Sequence, residues 1–281
     1  MAVNWFPGHM VKARREIREN ATLVDIVIEI LDARAPRSTS NPDLPELVKK
    51  KPIIRVLNKS DLADPEATRR FVEHFSAEGL TAISMDSLTG KGSREVLQAI
   101  MDTYQPLAEA LLKRRARVRP PRVMVVGVPN VGKSSFLNAL VGKKAAKTGA
   151  KPGITRGRQW IRVRGDVELL DTPGIMWPKV DSEEQGLKLA LLAVVGEKAY
   201  HDEEIALYLL KVLQARNPQI LWKRYQIEVP GLKAAEILQL VGTRRGYLVK
   251  GGTVDTAKTA RVLIEEFRRG NLGAITLDEI G

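Results

Sequence analysis

The sequence predicts an α/β domain with a doubly wound parallel sheet, followed by a smaller all-helical domain. In roughly the first 180 residues, short runs rich in Val and Ile alternate with amphipathic stretches, as in buried parallel strands joined by helices. Beyond about residue 181 the apolar residues recur with the helical period. We therefore expect an N-terminal segment at 1–20 that packs on the α/β domain, the α/β domain at 21–180, and a helical domain at 181–281.

Each element of the α/β domain follows from a local pattern. Strands are predicted at Val24–Leu31, Ile53–Leu57, Thr81–Ser84 and Val123–Gly127, and helices at Pro65–Glu78 and Gly92–Tyr104. Residues Gln105–Pro121 are expected to form a basic, proline-ended connector, and Ile161–Val163 with Val167–Leu170 a hairpin. In the last domain, apolar stripes predict helices at Gly186–Val195, Glu203–Gln214, Leu232–Val241 and Asp255–Arg268.

Composition narrows the class of protein. The chain has no cysteine, which excludes disulfides, thiolate zinc sites and cysteine nucleophiles and fits a reducing cytosol. It has no run of 18 apolar residues and no signal core, so we expect a cytoplasmic protein without a membrane partner.

Charge points to a polyanionic partner. Lys and Arg number 45 against 33 Asp and Glu, for a net charge of +12. Two stretches contain no acidic residue at all: Lys113–Arg122 has six basic residues and Lys143–Arg164 has eight. A solvated surface is the simpler explanation of such runs. With only 5% aromatic residues, recognition of a phosphate backbone or of RNA shape is favoured over base stacking.

The stretch GVPNVGKSS, which follows the apolar run at Val123, matches the phosphate-loop pattern G-x4-G-K-[ST]. In this pattern backbone amides surround phosphates, Lys133 reaches the β- and γ-phosphates, and Ser134 binds Mg²⁺. The predicted phosphate-binding residues here are Pro129, Asn130, Val131, Gly132, Lys133, Ser134 and Ser135. We also expect Lys133 to serve catalysis.

Two further stretches would face the γ-phosphate. DTPG ends the predicted hairpin, which places Asp171 near the Mg²⁺ shell, in contact directly or through water, and the amide of Gly174 at a γ-phosphate oxygen. Thr155, in KPGITRG, is the threonine expected to close over Mg²⁺ and γ-phosphate and to take part in catalysis; a flexible basic loop is the alternative.

The tetrapeptide NKSD, after the run IIRVL, predicts recognition of guanine. Asp61 can accept hydrogen bonds from guanine N1 and N2, whereas adenine offers no such pair of donors. Lys59 would pack along the base and Asn58 would brace the loops. Ser84 and Met85, after the strand TAIS, stand where a backbone amide would meet guanine O6. An Asx turn with a helix cap is the alternative for NKSD alone.

The order of these motifs is unusual. A Ras-like domain opens with its phosphate loop, yet here the guanine motifs precede it, so the sequence predicts a circularly permuted Ras-like P-loop GTPase domain. Domain termini often lie close together, which lets a connector join them while new ends open elsewhere.

Together the stretches NWFPGHM, LDARAPRSTSNP, NKSD, GVPNVGKSS, PGITR, DTPGIMWP and GNLGAITLDEI resemble the ribosome biogenesis GTPase A family (YlqF type) over nearly the whole chain. The resemblance implies a cytoplasmic bacterial GTPase that binds the large ribosomal subunit late in its assembly, with the helical domain helping to contact ribosomal RNA. We expect GTP and GDP as ligands, no DNA partner and a monomer.

Hydrolysis should be slow without help. Ras-like enzymes orient water with a glutamine just after DxxG, but Ile175 holds that position here. Asn130 resembles the loop residue of potassium-activated GTPases, with an ordinary loop asparagine as the alternative. His9, beside Trp5 and Phe6, is a possible proton-handling group that partner docking would move toward the γ-phosphate; a structural histidine is the alternative.

Other functions also fit these features. A GTP-gated RNA-binding placeholder would use the nucleotide only to time its release, and a permuted GTPase with a different target would serve another ribosomal particle or a non-ribosomal RNA. The first differs from a ribosome-coupled GTPase in its partner-stimulated turnover.

Overall fold

A computed structural model of the chain describes residues 7–49, 51–114, 117–141, 159–163, 166–171, 180, 182–196 and 200–280, without the side chains of residues 7–13, 159 and 171. These residues form two compact units. The sheet unit comprises the described residues of Asn4–Lys179 and Asp278–Gly281, and the helical unit those of Val180–Leu277. Contacts thus group Asp278–Ile280 with the sheet, although the sequence assigned them to the helical domain.

The sheet has the strand order β3-β2-β1-β4-β6-β5. Its strands are β1 (Ile26–Asp32), β2 (Ile53–Asn58), β3 (Thr81–Met85), β4 (Arg122–Val126), β5 (Gln159–Val163) and β6 (Val167–Asp171). All neighbours pair in parallel except β5 and β6, which form the expected antiparallel hairpin. If the count starts at β4, the phosphate-loop strand comes first and the guanine-motif strands last. The strand order therefore agrees with a permuted Ras-like domain.

The helices of the sheet unit are α1 (Pro7–Ala21), α2 (Pro36–Thr39), α3 (Leu44–Leu47), α4 (Pro65–Ala77), α5 (Ser93–Lys113) and α6 (Lys133–Val141). The predicted connector at Gln105–Pro121 is wrong over its first half, because α5 continues through Pro106 to Lys113. Proline removes one helical hydrogen bond, but the following residues LAEALLK are strong helix formers. None of the described helices has both the length and the apolar character needed to cross a membrane.

The end of the connector is held next to the sheet by an ion pair of Arg119, and Arg122, the first residue of β4, forms a second ion pair. Arg119 donates two hydrogen bonds to the Asp25 carboxylate, at 2.7 and 2.9 Å, and Arg122 donates to Glu168 at 2.9 Å. The Tyr104 hydroxyl donates to the carbonyl of Arg119 at 2.9 Å. Two of the six basic residues in the first basic run therefore have structural partners, which lowers the charge that this run offers to a polyanion.

The helical unit contains α7 (Glu183–Leu191), α8 (Asp202–Arg216), α9 (Pro218–Tyr225), α10 (Ala234–Arg245) and α11 (Thr256–Arg268). The buried Glu266 joins three of these helices, since it accepts hydrogen bonds from Arg224 at 2.6 Å, from Arg245 at 3.0 Å and from the Tyr225 hydroxyl. Burial alone would raise the pKa of Glu266, but the hydrogen bonds from Arg224 and Tyr225 and the two arginine charges outweigh it and lower that pKa. Glu266 thus stays a carboxylate.

Asp278 attaches the chain to the sheet unit after the helical unit has been completed. Its carboxylate accepts hydrogen bonds from the Ser38 amide at 2.8 Å and from the Ser38 hydroxyl at 2.7 Å. Both residues are buried, and Ser38 lies in α2, directly after β1. The pair links positions 240 residues apart in sequence.

We expect Asp278→Ala to destabilise the sheet unit by about 1–3 kcal/mol, because it removes the buried carboxylate to which the amide and the hydroxyl of Ser38 donate. Urea unfolding gives the size of the loss, and amide hydrogen exchange of β1 and α2 gives its place. Glu228→Ala, which removes an exposed carboxylate in the helical unit, is the control. Unchanged exchange in β1 and α2 would show that the pair carries no stability.

Candidate nucleotide-binding site

The predicted phosphate loop connects β4 to α6. At two of its glycines, neighbouring atoms leave no room for a side chain. A Cβ atom on Gly127 would lie 2.7 Å from the carbonyl oxygen of Ile30 in β1. Gly132 has φ +97°, and a Cβ there would collide with the side-chain amide of Asn58. Only glycine fits both positions, because the loop passes close to the backbone of β1 and to the side chain that ends β2.

The other predicted phosphate-loop residues lie in the same turn. Pro129 is half-buried, Asn130 is exposed with φ +60°, and Val131 is fully buried. Lys133 begins α6 and donates from Nζ to the carbonyls of Gly127 at 2.8 Å and Val128 at 3.0 Å. The Lys133 ammonium therefore lies against the backbone at the start of the phosphate loop.

Ser134 and Ser135 follow in the first turn of α6. The first is exposed and the second half-buried. The backbone amides at such a helix start, together with the Lys133 charge, form a site suited to phosphate.

Asn58, the last residue of β2, joins three loops with one side chain. Its Nδ2 donates to the carbonyl of Val131 in the phosphate loop at 2.7 Å. Its Oδ1 accepts from the amide and the hydroxyl of Ser87, after β3, at 3.2 and 2.7 Å. The residue is only 1% exposed, so these bonds are shielded from water. The Asn58 side chain thus connects the phosphate loop to the loop after β3.

Lys59 forms a second link between the guanine motif and the phosphate loop. Its backbone adopts φ +59°. Its Nζ donates to the carbonyl of Asn130 at 2.6 Å and to the carboxylate of Asp32 at 3.0 Å. The lysine stem consequently runs between the two loops, where a nucleotide base would lie above it.

Asp61 is exposed and hydrogen-bonds to no other side chain in the part of the chain that the structure describes. Partial burial and the nearby carboxylate of Asp86 raise its pKa. Donors from guanine N1 and N2 would counter both effects.

Ser84 and Met85 differ from their predicted setting. The strand β3 runs through Met85, so the loop begins at Asp86, one residue later than the predicted strand end at Ser84 implies. Met85 is buried, and its carbonyl accepts from the amide of Ser60 at 3.2 Å. Strand pairing of Asn58 with Met85 extended the strand, since the parallel ladder continues to the end of β2. Ser84 is exposed on the strand.

Ser87 and Asp32 are site residues that the motif search did not identify. Ser87 follows a strand as a hydroxyl residue, which is a weak signal on its own. Asp32 ends the strand β1 in the stretch LDAR, and its side chain accepts from Arg34 at 2.9 and 2.8 Å. A carboxylate at the end of a buried strand was the available signal.

The predicted Mg²⁺ ligands are described only in part. Ser134 presents an exposed hydroxyl, and Asp171 ends β6, one residue beyond the pair formed by Leu170 and Met124 of β4. The carboxyl ends of these parallel strands meet at the phosphate loop, and hydroxyl and carboxylate oxygens suit Mg²⁺. The residues thus fit this ion, which is commonly held by few protein ligands together with phosphates. Among the described residues, no cluster of three or more His, Asp or Glu is arranged to hold a metal.

Three other predicted residues fall outside what the structure describes. Thr155 and Gly174 lie in ranges that are not described. His9 lies within α1, but its side chain is not described. Their roles stay predictions.

Comparison with known proteins identifies relatives along the whole chain. A family model for the 50S ribosome-binding GTPase matches residues 122–236. Ribosome biogenesis GTPase A of Priestia megaterium is 40% identical over 280 residues, covering 99% of this chain and 97% of that protein. The protein of that name from Thermotoga maritima is 34% identical, over 98% of this chain and 94% of its own. The crystal structure of GNP-bound YlqF from T. maritima has a TM-score of 0.65 at 30% identity, covering 95% of this chain and 98% of that chain.

We expect Asp61→Asn to weaken GDP binding about 10- to 100-fold, because the amide replaces an acceptor with a donor opposite guanine N2. Xanthosine diphosphate, which carries a carbonyl at that position, should bind the variant better than it binds the parent chain. Calorimetric titration with both nucleotides measures the exchange of preference.

Asp64→Asn is the matched control. Asp64 caps α4 by accepting from the Ala67 amide at 2.7 Å, and asparagine caps helices equally well. If the Asp61→Asn and Asp64→Asn chains bind GDP with the same affinity, Asp61 does not recognise guanine.

Proposed function

This chain belongs to the ribosome biogenesis GTPase A family, and from that premise we propose that it binds the large (50S) ribosomal subunit late in its maturation. In this proposal GTP hydrolysis is coupled to binding and release of the subunit. The chain acts as a cytoplasmic assembly factor.

The observation that carries the nucleotide part of the proposal is the double link between the two loops. Asn58 and Lys59 of the guanine motif bond to the carbonyls of Val131 and Asn130 in the phosphate loop. The loops are therefore held at a fixed separation, with the exposed Asp61 on one side and the Lys133 ammonium on the other. A guanine nucleotide spans such a site with its base at Asp61 and its phosphates at Lys133.

Charge supports a ribosomal RNA partner. Some basic residues are used internally: Arg119, Arg122 and Arg245 pair with carboxylates, and Arg268 donates to the carbonyls of Ala190 and Leu191 at 2.8 and 2.9 Å. Exposed basic residues nevertheless occur in both units, including Lys113, Arg114, Arg117, Arg244, Lys250 and Lys258. An excess of exposed cations favours binding to a phosphate backbone.

In hydrolysis, the chain positions the phosphates and stabilises charge. The Lys133 ammonium would exchange its loop carbonyls for the β- and γ-phosphates, and Ser134 and Asp171 would hold Mg²⁺, the latter directly or through water. Bound Mg²⁺ adds positive charge where the transferring phosphoryl group develops negative charge. Thr155 and the amide of Gly174 would complete the γ-phosphate contacts.

The missing water-orienting glutamine makes turnover depend on other groups. Ile175 cannot polarise water, so we propose that Asn130 helps to hold a potassium ion near the β–γ bridge and that subunit docking brings His9 to the γ-phosphate. Its imidazole is suited to orient water or to handle a proton near neutral pH.

We expect purified large subunits to raise GTP turnover at least about tenfold, and potassium to support more of that rate than sodium, because each supplies charge or positioning that the chain alone lacks. Phosphate release is measured in both salts with large subunits, with small subunits as the control and without either. Asn130→Ala should remove the difference between the salts. Intact GTP binding without stimulation by large subunits would favour a placeholder or another RNA partner.

We also expect His9→Ala to lose most of the subunit-stimulated turnover while the unstimulated rate stays the same, since His9 acts only after docking. His74→Ala is the control, because His74 lies on α4 beside Glu78, 3.3 Å away. The measurement is single-turnover hydrolysis on saturating large subunits. Full stimulated turnover by His9→Ala would exclude the histidine from catalysis.

A further inference from the structure

Lys59 is held in one arrangement by two acceptors from different parts of the sheet unit. The carbonyl of Asn130 lies 2.6 Å from its Nζ, and an oxygen of Asp32 lies 3.0 Å away. A free lysine side chain samples many rotamers, so fixing one costs entropy that the two bonds must offset. A side chain that is already fixed can pack its apolar stem against a base without a further loss of conformational entropy on binding.

Asp32 reaches Lys59 because of strand register. The last residues of the parallel strands β1 and β2, Asp32 and Asn58, are paired neighbours, and Lys59 follows immediately. The Asp32 side chain is 1% exposed. A carboxylate this deeply buried is stable only when cations and donors satisfy it.

Arg34 supplies most of the hydrogen bonds and positive charge that the Asp32 carboxylate needs. Its Nε and Nη2 donate to the two oxygens of Asp32 at 2.9 and 2.8 Å, and its backbone amide donates at 3.1 Å. Burial alone would raise the pKa of Asp32, but Arg34 first and then Lys59 outweigh it and lower that pKa. The structural need of the carboxylate is thus largely met by Arg34, which lies two residues away. The bond from Lys59 adds to this and also fixes the position of the Lys59 ammonium.

We propose that Asp32 is a positioning residue of the guanine site, which fixes the Lys59 side chain beneath the base through the bond between Asp32 Oδ2 and Lys59 Nζ. The proposal rests on the guanine-binding function proposed above. It adds that affinity for the nucleoside part of GTP and GDP depends on a carboxylate that belongs to neither the phosphate loop nor the guanine motif. Affinity for the phosphates alone does not depend on it.

A double-mutant cycle tests the proposal. Asp32→Asn should weaken GDP binding about tenfold, as for loss of a hydrogen bond between charged groups, and Lys59→Met should weaken it by a similar factor. In the Lys59→Met chain, adding Asp32→Asn should change the GDP affinity by less than about twofold, because the two changes remove one interaction. Losses that multiply in the double variant would overturn the proposal.

Pyrophosphate separates positioning from damage to the fold. The phosphate loop alone should bind pyrophosphate, so Asp32→Asn should leave its affinity within about twofold of the parent chain. Equal losses for pyrophosphate and GDP would mean a general disturbance of the site and would also overturn the proposal. Asp64→Asn again serves as the matched control.

Asp32→Asn removes the carboxylate that pairs with the buried Arg34 and can therefore destabilise the chain. The paired change Asp32→Asn with Arg34→Gln removes both charges and should keep the fold, with the same tenfold loss of GDP affinity. Normal GDP affinity in this folded pair would refute the role of Asp32.

Other outcomes would contradict the guanine-binding function itself. A parent chain that binds no GDP, or an Asp61→Asn chain with unchanged preference, would remove the guanine site itself and this inference with it. If the guanine preference depends on Asp61 but the losses in the double-mutant cycle are additive, only the role of Asp32 is refuted.

Discussion

The candidate site depends above all on the side-chain amide of Asn58. It donates to one loop and accepts from another, so neither a carboxylate nor an apolar residue can replace it. Asp would lose the donor and repel the Val131 carbonyl, and the longer Gln would not fit the same buried space. The same amide explains why Gly132 has no side chain. Three motifs that look independent in sequence therefore constrain one another in space.

The parallel sheet explains why a permuted order of motifs still assembles one site. Functional loops in such sheets follow the carboxyl ends of strands, and these ends share an edge whatever the order in which the chain visits them. Here β2, β4 and β6 deliver Asn58, the phosphate loop and Asp171 to that edge. The permuting connection returns through Arg119, which pairs with Asp25 just before β1. Chain order thus changes the connection while the edge stays the same.

The sequence predicted the fold class and the grouping of the motifs because both depend on local patterns. Buried parallel strands produce apolar runs, and polar residues at their ends mark the loops. It failed where a local signal was overridden, as at Pro106, or where an element was too short to show a period, as in α2, α3 and the eight residues of α9. The start of the loop after β3 was misplaced by one residue, because strand pairing, which no local pattern reveals, sets the end of the strand.

Long-range pairs were beyond sequence reasoning for a different reason. Asp32 and Lys59 are 27 residues apart, and Ser38 and Asp278 are 240 apart. Such pairs exist only because strand register or tertiary packing brings them together, and a single sequence carries no mark of it. Asp32 in particular looked like an ordinary strand end, although it contacts the predicted guanine motif directly.

The attachment of Asp278 to Ser38 has a consequence for the order in which the protein is made. A ribosome synthesises all the strands and helices of the sheet unit before the helical unit, yet the carboxylate that accepts from Ser38 is added after Leu277. At ordinary elongation rates of about 5–20 residues per second, the intervening helical unit takes roughly 5–20 s to translate. During that interval the nascent sheet unit has not yet received the Asp278 carboxylate to which the amide and the hydroxyl of Ser38 donate. Completion of the first unit is therefore timed by translation of the second.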